Sequence, residues 1–119
     1  MAKSLLLISR QPPWAGPSAR EALDIALAGG AFDLPIALLF LDDGVFQLAT
    51  GQQPAALQQK DVQANLQALA LFGVEDLFVD AHSLLTRGLA DTALALPAQA
   101  LDDAEVRALL QRYDLVITL

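Results

Sequence analysis

The sequence contains no cysteine, and Met1, its single methionine, is the only sulfur-containing residue. Covalent thiol catalysis and disulfide exchange both require a thiolate, which the thioether of methionine cannot form. Chemistry that depends on a sulfur nucleophile within this chain is therefore excluded. The absence of cysteine also removes any indication of a secreted, disulfide-stabilised protein.

Histidine is almost as scarce, since His82 is the only one. No histidine–carboxylate spacing resembles a metal-ligand set. Ser83 is adjacent to His82 in the chain, and sequence neighbours cannot normally adopt the relay geometry of a catalytic triad. The glycines at positions 44 and 51 do not form a phosphate-binding motif. We therefore expect no catalytic residue, metal or cofactor in this chain.

Basic residues are half as numerous as acidic ones, with 7 Lys and Arg against 14 Asp and Glu and a net charge of −7. The seven cations are spread along the chain, whereas nucleic-acid binding requires a basic patch or stripe. No apolar run reaches the ~18 residues of a membrane span. The amino terminus lacks the long apolar region of a signal peptide. We expect a cytoplasmic protein that contacts neither nucleic acid nor membrane directly.

Apolar residues make up 55% of the 119 residues, above the usual share of about 45–50%. This length suits one domain, so we predict a single domain over residues 1–119. Such a chain has more apolar surface than a small monomer normally buries, which favours contacts with partner proteins. An alanine-rich, well-packed monomer is the alternative.

Strand-like and helix-like segments alternate along the chain. Continuous apolar runs or β-type patterns predict strands at residues 3–9, 34–41, 76–81, 92–96 and 114–119. Helical periodicity and capping signals predict helices at about 17–28, ended by Gly29 and Gly30, at 54–72 and 102–113, with a short turn at 82–87. We interpret 45–53 as a turn of helix and a loop. The alternation predicts an α/β fold, a three-layer α/β/α arrangement with a five-stranded, mostly parallel sheet.

Acidic residues follow the predicted second and third strands. Asp42 and Asp43 come after the second strand and Asp80 ends the third, and ligands of open α/β sheets bind at such strand ends. A receiver-type phosphoacceptor site would also need a lysine near the end of the fifth strand, which Ile117-Thr118-Leu119 does not supply. Polar turns that end the strands are the favoured interpretation. A small-molecule or nucleotide site is the alternative.

Four stretches resemble one known family. These are SAREALDIALA (18–28), DDGVFQLATGQQP (42–54), DAHSLLTRGL (80–89) and LLQRYDLVITL (109–119). Together they resemble the DsrE/DsrF-like sulfur-relay proteins, and the closest similarity is to the TusC/DsrF type of subunit. The resemblance extends over essentially the whole chain, and the DGVFQL stretch is its most specific element.

The resemblance implies an α/β/α fold and a place in a larger assembly. TusC-like chains assemble with TusB-like and TusD-like subunits into a heterohexamer that passes persulfide sulfur onward for 2-thiolation of the wobble uridine in tRNA. Related DsrF-containing complexes serve sulfur oxidation, which is the alternative. In TusD/DsrE-type subunits the acceptor cysteine precedes a short helix that ends in Arg-Gly, and the matching position here is Asp80. The resemblance thus implies a non-catalytic subunit.

Apolar residues outside the strands are candidates for the contact with partners. We predict an interface at Val45, Phe46 and Leu48, because loops after a strand usually face solvent, and at Trp14, because tryptophan is enriched at protein interfaces. The alternative is that Val45 and Phe46 belong to the protein's own core and that Trp14 packs as a lid. The final strand has no helix after it in the sequence, so it is a further candidate.

Overall fold

The computed structural model describes residues 4–12, 18–31, 35–48, 67–89 and 98–119. Five strands form one sheet: β1 (Leu5–Ser9), β2 (Ile36–Phe40), β3 (Asp76–Asp80), β4 (Gln99–Leu101) and β5 (Leu115–Thr118). Their order is β4-β3-β2-β1-β5, and all four pairings are parallel. The leucine-rich runs of β1 and β2 suit this position because the inner strands of a parallel sheet are covered on both faces.

The described ranges include the helices α1 (Ser18–Ala31), α2 (Ala81–Thr86) and α3 (Asp103–Arg112). Two 3₁₀ helices cover Asp42–Leu48 and Ala70–Phe72. None of the helices in the described ranges is long and apolar enough to cross a membrane.

Two separate hydrophobic clusters lie on opposite faces of the sheet, because alternate strand residues point to opposite sides. On one face, side chains of β1, β2 and β3 pack with α1, the first 3₁₀ helix and α2; this cluster includes Leu7, Leu23, Ala26, Leu38, Phe40, Val45, Leu48, Val79 and Leu84. On the other face they pack with α3; that cluster includes Leu6, Ile8, Ala37, Leu39, Phe78, Leu101 and Leu109. The predicted three-layer α/β/α fold is confirmed.

The first helix is longer than predicted. Gly29 and Gly30 were expected to end it, but α1 continues through both to Ala31. Gly30 is needed for a close contact instead, since a Cβ there would lie 2.5 Å from the carbonyl oxygen of Phe72 and 2.8 Å from a methyl carbon of Val74. The expectation of a left-handed turn was wrong because it took no account of this distant segment.

The last helix begins as predicted. Asp102 caps α3 by accepting a hydrogen bond from the backbone N–H of Glu105 at 2.8 Å, and the Glu105 carboxylate accepts one from the Asp102 N–H at 3.1 Å. This reciprocal capping box satisfies two N–H groups that have no partner within the helix. Gly73 ends the second 3₁₀ helix with φ of 82°. Most of the predicted 54–72 helix lies outside the described residues.

The structure describes a strand that the sequence pattern did not predict. Residues 92–96 lie outside the described residues, and the strand that the structure describes is β4, paired with β3 from Phe78 opposite Gln99 to Asp80 opposite Leu101. Three residues, Gln-Ala-Leu, are too few to produce a recognisable strand pattern. The extended conformation of β4 therefore depends on its pairing with β3 and not on a local sequence pattern.

Candidate functional site

Polar side chains gather where β1, β2 and β3 end. Parallel pairing brings the carboxyl ends of these strands to one edge of the sheet, which is the usual ligand edge of an α/β fold. We call this group the carboxyl-end cluster, and it consists of Arg10, Asp42, Asp43, Asp80, Ser83 and Arg87.

Asp80 caps the short helix α2. Its carboxylate accepts a hydrogen bond from the Ser83 backbone N–H at 3.1 Å and another from the Ser83 hydroxyl at 2.6 Å. Asp80 is only 8% exposed and Ser83 only 2%. The capping oxygen satisfies an N–H group at the start of the helix that would otherwise lack a partner. The chemistry of Asp80 in this structure is therefore that of a buried hydrogen-bond acceptor.

Ser83 connects Asp80 to the turn after β2. Its hydroxyl oxygen accepts a hydrogen bond from the Asp42 backbone N–H at 2.9 Å while its proton is donated to Asp80. Asp42 has φ of 52°, a left-handed conformation that aspartate tolerates better than most residues. The Ser83 hydroxyl is thus engaged as both donor and acceptor, and because Ser83 is buried, these bonds join two segments in the interior of the protein.

Two ion pairs join the acidic turn to neighbouring segments. Arg10 lies 2.6 Å from a carboxylate oxygen of Asp42, and Arg87 lies 2.8 Å from one of Asp43. All four side chains retain solvent exposure, so each pair contributes at most about 1 kcal/mol to stability. Their main effect is to neutralise the acidic residues that the sequence placed at the strand end.

An open cleft of about 470 Å³ lies beside these pairs, lined by Arg10, Gln11, Asp42, Asp43, Thr118 and Leu119. Among the lining residues that the structure describes, Arg10 is the only cation, and it is already paired with Asp42. A phosphate group would therefore meet the carboxylate of Asp43 with no unpaired cation in the described part of the lining. This charge pattern does not favour the nucleotide-site alternative.

Gln47 is a structural residue that the sequence interpretation missed. It is buried in the first 3₁₀ helix, and its side-chain N–H₂ donates to the Ser9 hydroxyl at 2.7 Å and to the Gln11 carbonyl oxygen at 2.9 Å. These bonds fix the segment that leaves β1. The available signal was a glutamine flanked by apolar residues in the DGVFQL stretch.

The DGVFQL stretch requires glycine at position 44 because the backbone of β1 lies close to it. A Cβ at this position would lie 2.0 Å from the carbonyl oxygen of Ser9. No side chain fits at position 44, because the Ser9 carbonyl group belongs to the backbone and cannot rotate away as a side chain could. The first 3₁₀ helix therefore packs directly against the end of β1.

The predicted interface residues have different positions. Val45 and Leu48 are fully buried in the hydrophobic cluster on the α1 face, so the expectation that they form a contact surface is corrected. They turn inward because the 3₁₀ helix packs on the sheet. Phe46 is half-buried and remains a candidate. Trp14 lies outside the described residues.

A metal site requires several ligating side chains close together. Among them, no group of three His, Cys, Asp or Glu side chains lies close enough to hold an ion. His82 is exposed on α2.

The sequence matches known proteins over its whole length. A model of the DsrE/DsrF-like family matches residues 3–119. The TusC homolog of Pseudomonas aeruginosa is 72% identical over 119 residues, which is all of both chains. The TusC homolog of Vibrio parahaemolyticus is 37% identical over 108 residues, or 91% of this chain and 92% of that one.

A protein named for sulfur oxidation is also similar. The intracellular sulfur oxidation protein DsrF of Allochromatium vinosum is 37% identical over 89 residues, which cover 75% of this chain and 65% of DsrF. Among solved structures, the YchN protein of Escherichia coli has the same fold over the full length of both chains, with a TM-score of 0.80 at 21% identity. The family match and the two TusC homologs confirm the resemblance, and this chain belongs to the DsrE/DsrF-like family.

Proposed function

We propose that this chain is a non-catalytic, TusC-like subunit of a cytoplasmic sulfur-relay complex. In this proposal it assembles with TusB-like and TusD-like subunits into a heterohexamer that supports persulfide transfer for 2-thiouridine formation at tRNA wobble positions. The observation that carries the proposal is Asp80, a buried helix cap at the position that the family resemblance gives to an acceptor cysteine. The 72% identity to a TusC homolog supports the choice of subunit.

The side chain at position 80 determines whether a subunit of this family can carry sulfur. A persulfide requires a thiol, and the chain has none. The Asp80 carboxylate is engaged by both the hydroxyl and the backbone N–H of Ser83. Sulfur is therefore carried by a cysteine of another subunit, and this chain supplies shape and contact surface.

The net charge of the chain also supports a role in contacts with protein subunits. With a net charge of −7 and no basic cluster in the sequence, the chain is unsuited to hold tRNA. Its apolar share of 55% is higher than a small monomer needs. These features favour contacts with protein subunits, and tRNA is bound elsewhere in the pathway.

A DsrF-like subunit of a sulfur-oxidation complex is the second candidate. The 37% identity to an intracellular sulfur oxidation protein favours it. The two candidates share the assembly and the absence of sulfur transfer by this chain, and they differ in the final acceptor of sulfur. The phenotype of a deletion strain separates them.

The test combines purification with nucleoside analysis. We expect the tagged chain to co-purify from its native cell with a cysteine-bearing relative, and we expect a deletion strain to lose 2-thiouridine from its tRNA by mass spectrometry. Re-expression of the wild-type chain restores the modification. Normal tRNA thiolation together with lost sulfur oxidation would favour the DsrF-like function. A freely soluble monomer that retains no relative would contradict the assembly itself.

Persulfide transfer by the purified chain is the second measurement. We expect no labelled sulfur on the isolated chain after incubation with a persulfide donor, and label on a cysteine of the reconstituted complex. Uptake of sulfur by the isolated chain would overturn the proposed non-catalytic role.

A further inference from the structure

β5 is an edge strand whose apolar side chains are exposed on both faces of the sheet. It pairs with β1 on one side, and the sheet order places no strand on its other side among the described residues. Leu115 is 49% exposed, and Val116 and Ile117 are each 41% exposed. Because successive side chains point to opposite faces, both surfaces of the strand are apolar and accessible.

The backbone of β5 presents hydrogen-bonding groups outward. The N–H groups of Leu115 and Leu119 donate to the carbonyl oxygens of Ser4 and Ile8 at 3.0 and 2.9 Å, and the Leu119 carbonyl oxygen accepts from Arg10 at 3.3 Å. Odd-numbered residues of the strand therefore face β1. Backbone groups alternate in direction along a strand, so those of Val116 and Thr118 face outward, towards the side of β5 on which the sheet has no further strand among the described residues.

The strand lacks charged residues and proline, two of the features that normally protect a sheet edge. Edge strands are commonly very short or carry charged residues or proline, which block pairing with another chain. Both edge strands are short, with three residues in β4 and four in β5. β5 reads Leu-Val-Ile-Thr, with no charge and no proline. Its edge is therefore open to further pairing.

We propose that β5 binds an uncharged, extended strand of a partner subunit, which pairs with its outer edge and continues the sheet. This inference rests on the proposed function, in that it takes the chain to be part of an assembly. A helix laid on one face would cover only half of the exposed side chains and would leave the outward backbone groups unpaired. An added strand satisfies those groups and extends both apolar faces.

The occupant is a different chain and not a second copy of this one. Each copy carries a net charge of −7, and like charge opposes self-association. A stable, specific interface also buries about 1,200–2,000 Å² in total, which is more than a four-residue strand supplies. The strand contact is thus one part of a larger interface with a less acidic partner.

The test uses Val116→Pro in the full chain co-expressed with its TusB-like and TusD-like relatives. Proline removes the outward N–H of residue 116 without removing a hydrogen bond to β1, and proline is tolerated on edge strands in this orientation. Val116→Thr is the matched control because it retains the N–H and a β-branched side chain. We expect proline to weaken assembly about tenfold or more, and threonine to have little effect. Circular dichroism and thermal unfolding of the isolated variants establish that both fold.

Amide hydrogen exchange gives a second readout that needs no variant. In the isolated chain we expect fast exchange at Val116 and Thr118 and slow exchange at Leu115 and Ile117, whose N–H groups face β1. In the complex, we expect the amides of Val116 and Thr118 to become protected from exchange, and the exchange of Leu115 and Ile117 to stay unchanged.

The outcomes separate this inference from the proposed function. Normal assembly of the Val116→Pro variant, together with unprotected Val116 and Thr118 amides in the wild-type complex, overturns the strand pairing and leaves the assembly intact. Absence of any complex overturns both. A homodimer of the isolated chain that dissociates on Val116→Pro would assign the edge to a second copy and contradict the choice of a partner strand.

Discussion

The carboxylate of Asp80 accepts two hydrogen bonds from one residue, Ser83, which donates its hydroxyl at 2.6 Å and its backbone N–H at 3.1 Å. The same hydroxyl accepts a hydrogen bond from the Asp42 N–H. The position that the family resemblance assigns to a sulfur acceptor is therefore part of a buried polar network. The network stabilises the junction of β2, β3 and α2.

Replacement of Asp80 by alanine should destabilise the protein more than the loss of an ordinary cap. Loss of a helix cap costs about 1 kcal/mol, and a buried donor left without its acceptor adds about 1–3 kcal/mol. We expect the free energy of unfolding to fall by about 2–4 kcal/mol in urea denaturation. Asp102→Ala is the matched control, because it removes an exposed cap and should cost only about 1 kcal/mol. Equal losses in the two variants would show that the Ser83 hydroxyl bond contributes nothing.

Gly44→Ala should be more harmful than the same change at Gly88. The added Cβ at position 44 would lie 2.0 Å from the Ser9 carbonyl oxygen, whereas at position 88 nothing lies within 4 Å and the cost arises from φ of 71°. We expect Gly88→Ala to cost about 1–2 kcal/mol and Gly44→Ala to cost about 3 kcal/mol or more. Urea unfolding of both variants measures the difference. A similar stability for the two would contradict the close packing of the 3₁₀ helix on β1.

Phe46→Asp should weaken binding to partner subunits while the chain keeps its fold. Phe46 is half-buried, whereas its neighbour Val45 is completely buried. A charge at position 45 would lie in the core without a partner, so we expect Val45→Asp to unfold the isolated chain. Circular dichroism and co-purification of both variants provide the test. Unfolding by Phe46→Asp would place this side chain in the core, and normal assembly would remove it from the interface.

Stability should decrease in alkaline solution because of Tyr113. Burial raises the pKa of its hydroxyl above the ordinary 10.0, the nearby Asp76 carboxylate raises it further, and Arg112 partly opposes the change. The unfolded chain therefore loses this proton at lower pH than the folded chain. The resulting stabilisation is complete below about pH 10 and is lost as pH rises through the folded-state pKa.

The measurement is denaturant unfolding across this alkaline range, with Tyr113→Phe for comparison. Tyr113 is the only tyrosine in the chain, so tyrosinate absorbance reports its ionisation directly. We expect the free energy of unfolding to fall less steeply with pH in the phenylalanine variant, which cannot ionise. Identical slopes for the two proteins would contradict the raised pKa.

Features that depend on local chemistry were predictable from the sequence. The capping box of Asp102 and Glu105 lies within four consecutive residues, and β2 and β3 are continuous or nearly continuous apolar runs. Each was identified because the necessary partners are close in the chain or because burial on both faces leaves a clear pattern. The acidic turn at Asp42 and Asp43 was also placed at a strand end.

Features that depend on distant residues were not predictable. Val45 and Leu48 were expected at a surface, and their burial depends on how the 3₁₀ helix packs on the sheet. The passage of α1 through Gly30 depends on Phe72, which lies far along the chain. The role of Gln47 depends on Ser9 and Gln11. In each case the deciding contact joins segments that only the folded chain brings together.

The sequence by itself determined that this chain has no thiol to carry sulfur, that its strands alternate with helices, and that it resembles one family over its whole length. These properties follow from the identity of side chains and from their local period. Only the tertiary structure decided that Asp80 is a buried cap held by Ser83, that Gly44 lies against the β1 backbone, and that β5 lies at the edge of the sheet formed by the described strands. Such relationships are set by packing and by strand order, because they arise between residues that are neighbours in space and not in the chain.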